Sequence, residues 1–156
     1  MINKCKMKKS AFNRILLVVM VLTGFIGHAQ TKDEEAVQHT VLEYFKALNE
    51  GNVQRIVSVF TNEGAVLPTG APTAIGTKGL KGNYQYVFDN FGFDLKVTIA
   101  DVMVNEDLAM VQSSSKGTLV IKANDEQVTE AFRELFVLNK INGTWKIDKY
   151  MYNQSK

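Results

Sequence analysis

The chain has 156 residues, a length that suits one domain with a single hydrophobic core. Its 18 Lys and Arg residues outnumber its 16 Asp and Glu residues by two, so the formal net charge is +2. A single cysteine excludes an intramolecular disulfide, and two histidines leave few ligands for a metal site.

The first 29 residues have the layout of a cleavable secretory signal peptide. Four lysines and one arginine precede an apolar run over 15–26, and Gly27-His28-Ala29 places small residues before a cleavage site after Ala29. The apolar run is shorter than the roughly 20 residues that span a bilayer. We therefore expect an exported protein, periplasmic or secreted, without a membrane anchor after cleavage.

Cleavage would change both the charge and the chemistry of the chain. It leaves 127 residues, and it removes five of the 18 basic residues and none of the 16 acidic ones, so the net charge becomes −3. The basic character of the full chain therefore gives no support for a nucleic-acid partner. Cys5 and His28 are also removed, and His39 remains as the only histidine. This excludes cysteine nucleophiles and sites with Cys or two His ligands, and we expect no metal and no cofactor.

Three amphipathic helices are predicted in the first half of the mature domain. Apolar residues recur at three- and four-residue spacing over 33–49, and Gly51 ends this helix. Asn52 is the expected N-cap of a second, short helix. The same spacing predicts a third helix over 78–91, with Thr77 as its cap.

The remaining segments are rich in β-branched and aromatic residues and predict strands. A short strand over 64–68 ends at Pro68. Four long strands follow, over 93–104, 108–122, 127–140 and 144–152, separated by polar turns. The last turn, Asn142-Gly143, is the strongest hairpin signal because both residues tolerate positive φ.

This order of elements predicts an α+β fold. Linked hairpins make an antiparallel meander, and a sheet with all its helices on one side must curl over them. We expect a cone-shaped, curved antiparallel sheet wrapped over three N-terminal helices. Because the helices cannot fill the whole concave face, a cavity should remain between the sheet and the third helix.

Four strings in this order resemble the nuclear transport factor 2-like superfamily, specifically its SnoaL-like and ketosteroid-isomerase-like bacterial branch. They are residues 41–52, 60–72, 76–86 and the segment 142–147 with Asn153. The resemblance covers roughly 33–153 and places one such domain at 30–156. It implies a cystatin-like α+β barrel, often dimeric through the sheet, with a pocket used by isomerases, cyclases, dehydratases and binding proteins.

The resemblance also points to individual residues. Tyr44 matches the tyrosine that donates a hydrogen bond to the enolate in ketosteroid isomerases, although a core tyrosine with its hydroxyl bonded to the backbone is the favoured interpretation. The aspartate base of that family, just before a proline, is replaced by Leu67. Glu134 is the carboxylate nearest the position of the second oxyanion acid. Related SnoaL-like proteins often carry an acid where Tyr150 stands, and Asn153 keeps their asparagine.

The leading hypothesis is an exported domain that binds a small hydrophobic or carbonyl-containing ligand. One alternative is an acid–base enzyme with Tyr44 and Glu134 as its catalytic pair. Another is an interaction module that forms a homodimer through its sheet. The ligand-binding residues expected are Tyr44, Leu67, Tyr84, Phe88, Phe132, Glu134, Phe136, Trp145, Tyr150 and Asn153.

Overall fold

The computed structural model describes residues 31–155. The predicted signal peptide and its cleavage site lie outside the described residues. Tertiary contacts divide the chain into two units, Met1–Asp33 and Glu34–Lys156, and the second contains the sheet and the cavity.

Three helices occupy the first half of the described chain, close to the predicted positions. Helix α1 covers residues 31–49 of the described chain. Gly51, with φ of 65°, turns the chain, and the side chain of Asn52 accepts a hydrogen bond from the Arg55 amide at 3.0 Å to cap α2, Val53–Val59. Helix α3, Gly76–Asn90, begins two residues earlier than predicted.

The expected cap of α3 is wrong. The N-cap position is Ile75, which makes no side-chain capping bond. The chain instead enters α3 through Gly76, whose φ of 70° lies in the left-handed region that glycine adopts without strain. Thr77 lies inside the helix, so its hydroxyl does not serve as the cap.

Six strands form one sheet. They are β1 (Phe60–Leu67), β2 (Ala74–Ile75), β3 (Phe91–Asn105), β4 (Leu108–Ile121), β5 (Glu126–Ile141) and β6 (Thr144–Gln154), in the order β2-β1-β6-β5-β4-β3. The meander from β3 to β6 is antiparallel as predicted, and φ values of 49° at Asn142 and 78° at Gly143 confirm the last hairpin turn.

The sheet is mixed, so the expectation of a wholly antiparallel sheet is wrong. Strand β1 pairs in parallel with β6, with Val66 opposite Tyr150, and the sheet stays unclosed because β2 and β3 are its two edges. Hairpin signals in the sequence report only strands that follow one another along the chain. The pairing of β1 with β6 joins the first strand to the last, and no local turn encodes it.

The curved sheet buries one face against the helices and exposes the other. In β4, Ala109, Val111, Ser113 and Ser115 are buried while the residues between them are exposed. The core on this concave face includes Val37, Val41 and Tyr44 of α1. The predicted wrapping of the sheet over three helices is therefore confirmed.

Among the glycines of the sheet, Gly117 leaves the least space for a side chain. A Cβ atom added there would lie 1.9 Å from the carbonyl oxygen of Asp94 in the neighbouring strand. We expect Gly117→Ala to lower the free energy of unfolding by about 1–3 kcal/mol, as overpacking does, or to prevent folding. Chemical denaturation followed by circular dichroism measures this change.

Gly92→Ala is the matched control in the same strand pair. Its added Cβ would make an ordinary 3.6 Å contact with Val120. Equal stability losses in the two variants would contradict the steric explanation.

Candidate functional site

A cavity of about 330 Å³ lies between the helices and the concave face of the sheet. Side chains from α1, α3 and every strand except β2 contribute to its wall. They are Tyr44, Leu48, Val66, Asn83, Tyr84, Val87, Phe91, Phe93, Leu95, Ser115, Leu119, Glu130, Phe132, Tyr150, Tyr152 and Gln154, joined by Thr69 in the loop after β1. The predicted cavity between sheet and third helix is therefore present, in the size range of small-molecule sites.

The wall changes character from its inner end to its mouth. Buried residues form the inner end, among them Tyr44, Tyr84 and Ser115. Thr69 and Gln154 are exposed and mark the mouth, where the Gln154 amide donates a hydrogen bond to the half-buried Glu130 carboxylate. A ligand would therefore enter past polar groups and reach a buried, aromatic interior.

Asn49 fastens the end of α1 to the edge of the sheet beside this interior. Its side-chain amide donates to the Leu95 carbonyl at 2.9 Å, and its side-chain oxygen accepts from the Leu95 amide at 3.0 Å. The side chain thus pairs with strand β3 as another strand would. This pairing positions Leu48 and Leu95 in the cavity wall.

Two buried tyrosine hydroxyls meet at the inner end. The hydroxyls of Tyr44 and Tyr84 lie 3.0 Å apart, and the Tyr44 and Tyr150 rings pack edge to face with centroids 4.9 Å apart. The hydrogen bond between two hydroxyls uses one of their two protons. The other proton can serve a third partner, either the Tyr150 hydroxyl, which also interacts with Tyr44, or a ligand oxygen.

Burial sets the protonation state of these tyrosines. Desolvation raises the pKa of Tyr44, Tyr84 and Tyr150 well above the ordinary value, because a phenolate in this interior would lose its hydration. All three therefore keep their protons at neutral pH. They act as hydrogen-bond donors and not as bases.

Glu134 is buried next to the cavity, with a relative exposure of 4%. Its carboxylate accepts hydrogen bonds from the hydroxyls of Ser113 at 2.7 Å and Ser115 at 2.5 Å. Because Ser115 lines the cavity, the carboxylate is separated from the cavity wall by a single hydrogen bond. Burial raises the pKa of Glu134, and the two serine hydrogen bonds oppose this shift.

Four of the ten residues expected to bind a ligand line the cavity: Tyr44, Tyr84, Phe132 and Tyr150. The other six lie outside its wall: Leu67, Phe88, Glu134, Phe136, Trp145 and Asn153.

Alternation along the strands explains several of these positions. Leu67 follows Val66, whose side chain occupies the cavity wall, and Asn153 is exposed beside the inward-facing Tyr152. Phe136 is fully buried and stacks on Tyr150 with centroids 4.3 Å apart, which places it behind the wall.

Sequence reasoning missed several wall residues, including Ser115, Leu119 and Phe93. Alternation could have found them, because Phe132 of β5 faces Ser115 of β4 in register, and Leu119 lies four residues further along β4 on the same face. Without the register between strands, the sequence leaves open which of the two faces of each strand is concave.

Within residues 31–155, no group of three or more His, Cys, Asp or Glu side chains lies close enough to hold a metal ion. Of the helices in the described part of the chain, none is both long and apolar enough to cross a membrane.

Among the solved structures that are similar to this chain are three from bacteria. A ketosteroid isomerase-like protein from Erwinia carotovora atroseptica is 28% identical with a TM-score of 0.77, covering 80% of this chain and 97% of that one. A protein of the NTF2-like family from Streptomyces avermitilis is 16% identical, with a TM-score of 0.69 and coverage of 81% and 99%. A cystatin-like protein from Nostoc punctiforme is 18% identical, with a TM-score of 0.64 and coverage of 79% and 91%.

Glu134 makes the stability of the fold depend on pH. Because its pKa is raised on folding, the native state holds this proton more tightly than the unfolded chain. Below the ordinary pKa of a glutamate the side chain is protonated in both states and does not lower stability. The free energy of unfolding falls as the pH rises from that ordinary pKa through the raised pKa of the folded state. Above that pH range, a pKa raised by one on folding lowers the free energy of unfolding by about 1.4 kcal/mol.

We expect Glu134→Gln to remove this loss of stability, since the amide keeps the shape and cannot ionise. Urea denaturation at a series of pH values from 4 upwards measures the difference. The control is Glu63→Gln, which alters the net charge equally but at an exposed position of β1. A wild-type pH dependence unchanged in Glu134→Gln would contradict the raised pKa.

Comparison with protein families gives the relationship directly. No curated protein matches the chain. A family model described as a SnoaL-like domain matches residues 41–146, which run from α1 into the beginning of β6. The order of helices and strands, the curved sheet and the similar solved structures agree with that match. The resemblance found in the sequence is confirmed: this chain belongs to the SnoaL-like domain family, within the NTF2-like fold.

Proposed function

We propose that this domain is an exported binding protein for a small, mostly apolar ligand, held in the cavity between α3 and the sheet. The observation that carries the proposal is the cavity of about 330 Å³, whose wall includes seven aromatic side chains. Apolar surface leaving water for this wall contributes roughly 25 cal/mol per Å². Export rests on the signal-peptide pattern in the first 29 residues.

Polar groups at the inner end would orient such a ligand. The pair of Tyr44 and Tyr84 has a proton to donate, which suits a carbonyl or ether oxygen. A ligand with one polar end and an apolar body would fill the cavity while satisfying these groups.

The alternative is an acid–base enzyme acting on a carbonyl compound. It draws support from the buried Tyr44 hydroxyl in the cavity wall and from the similarity to a ketosteroid isomerase-like protein. Against it, Val66 and not a carboxylate faces the cavity before Pro68, and the Glu134 carboxylate is turned toward two serines. These contacts favour binding over proton abstraction.

A homodimer through the convex face of the sheet is the second part of the proposal. Exposed apolar side chains lie there in register: Met103 opposite Met110, and Leu135 opposite Met151. A surface of this kind is unfavourable in water, and a second copy of the same sheet would cover it.

Ligand binding can be tested on protein purified from its own host. We expect native mass spectrometry to show a bound small molecule on a 127-residue chain beginning at Gln30. We also expect the neutral dye N-phenyl-1-naphthylamine to fluoresce on binding. Val87→Trp should lower the affinity for the dye by at least about tenfold, because the larger side chain fills the cavity.

Tyr86→Trp is the control for Val87→Trp, because Tyr86 is the adjacent residue of α3 and is exposed. Equal dye binding by the wild type and Val87→Trp would contradict binding in the cavity. Turnover of a carbonyl compound that is lost in Tyr44→Phe would replace the binding proposal with the enzyme.

The dimer has its own test. We expect light scattering to give twice the mass of one chain, and Met110→Lys to produce monomers because it buries a charge in the apolar interface. Lys78→Glu on α3, away from the convex face, is the control. A wild-type protein that is monomeric at every concentration would contradict the dimer.

A further inference from the structure

The charges around the cavity are all of one sign. Glu130 lies at its mouth, and the Glu134 carboxylate lies one hydrogen bond behind its inner wall. Among the described wall residues there is no Lys, Arg or His. Any ligand in this space therefore experiences a negative potential that no side chain of the wall offsets.

Glu134 is a buried carboxylate whose hydrogen-bond partners are both neutral hydroxyls. An ionised carboxylate has about four acceptor positions, and the two serine hydroxyls occupy two of them. Both donors are neutral, and no described ion pair includes Glu134. Burying a charge is costly unless an opposite charge accompanies it, and the described residues 31–155 provide no counter-charge for the ionised form of Glu134.

The groups that face Glu134 on neighbouring elements do not supply that charge. Ser113 and Ser115 face it from β4, and Tyr152 is its partner on β6. The carboxylate adds to the effect of burial in raising the pKa of Tyr150, which therefore stays neutral. On β5 itself, the nearest titratable groups are the exposed Arg133, which points to the other face of the sheet, and the acidic Glu130.

The walls themselves favour a cation. Aromatic rings present a negative face, and an ammonium group placed against such a face is attracted to it. Seven aromatic side chains line the cavity: Tyr44, Tyr84, Phe91, Phe93, Phe132, Tyr150 and Tyr152. Aromatic walls combined with a buried carboxylate are a chemical environment that recognises organic ammonium ions.

We propose that the ligand of this cavity is an organic cation, an amine or quaternary ammonium compound with an apolar body, whose positive charge is balanced by Glu134 through Ser115. This inference rests on the proposed binding function and names its ligand class. An anionic ligand of the same shape would face Glu130 and Glu134 without a compensating cation and is disfavoured.

The test compares two molecules of nearly the same shape, benzyltrimethylammonium and its neutral carbon analogue neopentylbenzene. Each competes with N-phenyl-1-naphthylamine for the full mature protein at pH 8 and low ionic strength. We expect the wild type to bind the cation at least about tenfold more tightly than the neutral analogue. We expect Glu134→Gln to reduce this preference about tenfold, and Glu63→Gln, with the same change in net charge, to leave it intact.

A pH series provides a second readout. Benzyltrimethylammonium has no titratable proton, so any change in its affinity between pH 4 and 8 arises from the protein and not from the ligand. Because a proton and the cation compete for the same carboxylate, we expect affinity to rise with pH in the wild type and to rise clearly less in Glu134→Gln, where Glu130 is the remaining carboxylate of the wall.

Equal or tighter binding of neopentylbenzene would overturn the inference, as would a cation preference that survives Glu134→Gln. Two results together would separate the proposals: Val87→Trp abolishes dye binding, and benzyltrimethylammonium does not displace the dye from the wild type. In that case the cation proposal fails and the binding function stands. If neither the dye nor either small molecule binds, the binding function fails, and the cation proposal fails with it.

Discussion

The mismatch in length between the strands and the helices determines the rest of this structure. Strand β5 has 16 residues and extends for about 50 Å at roughly 3.3 Å per residue, whereas the 15 residues of α3 extend for about 22 Å at 1.5 Å per residue. The concave face of such a sheet cannot be covered by three helices of this size. Curvature closes part of the gap, and the uncovered remainder is the cavity.

The position of the cavity follows from the two attachments of the helices to the sheet. Parallel pairing of β1 with β6 holds the helical half against one side of the meander. The amide of Asn49 pairs with the Leu95 backbone and holds the end of α1 against the edge strand on the other side. Between these attachments, aromatic side chains pack edge to face around Tyr44 and form the inner end of the cavity.

Removal from water gives this interior its chemistry. The same burial that keeps the tyrosines protonated also raises the pKa of Glu134. A polar group in such a place is retained at a cost in stability unless a partner compensates for it. In this chain the polar side chains of the cavity wall are four tyrosines together with Ser115, Asn83, Thr69, Glu130 and Gln154, and the Glu134 carboxylate lies behind Ser115.

Local patterns in the sequence were sufficient for the elements and their class. Helical spacing identified α1 and α3, Gly51 and Asn52 marked the turn between α1 and α2, and Asn142-Gly143 marked the last hairpin, because each of these signals acts over a few residues. The α+β class and the family resemblance follow from the order of those elements. Tyr44, Tyr84, Phe132 and Tyr150 were also identified as cavity residues from the sequence.

Only the tertiary structure decided which face of each strand is concave and which strands meet out of sequence order. A shift of one residue in register moves a side chain to the opposite face, so Leu67 and Asn153 lie outside the wall while Val66 and Tyr152 lie in it. The bonds from Ser113 and Ser115 to Glu134 span 21 and 19 residues and depend on the pairing of β4 with β5. The sequence by itself therefore determined the elements and the family, and contacts between distant residues determined the cavity and its charge.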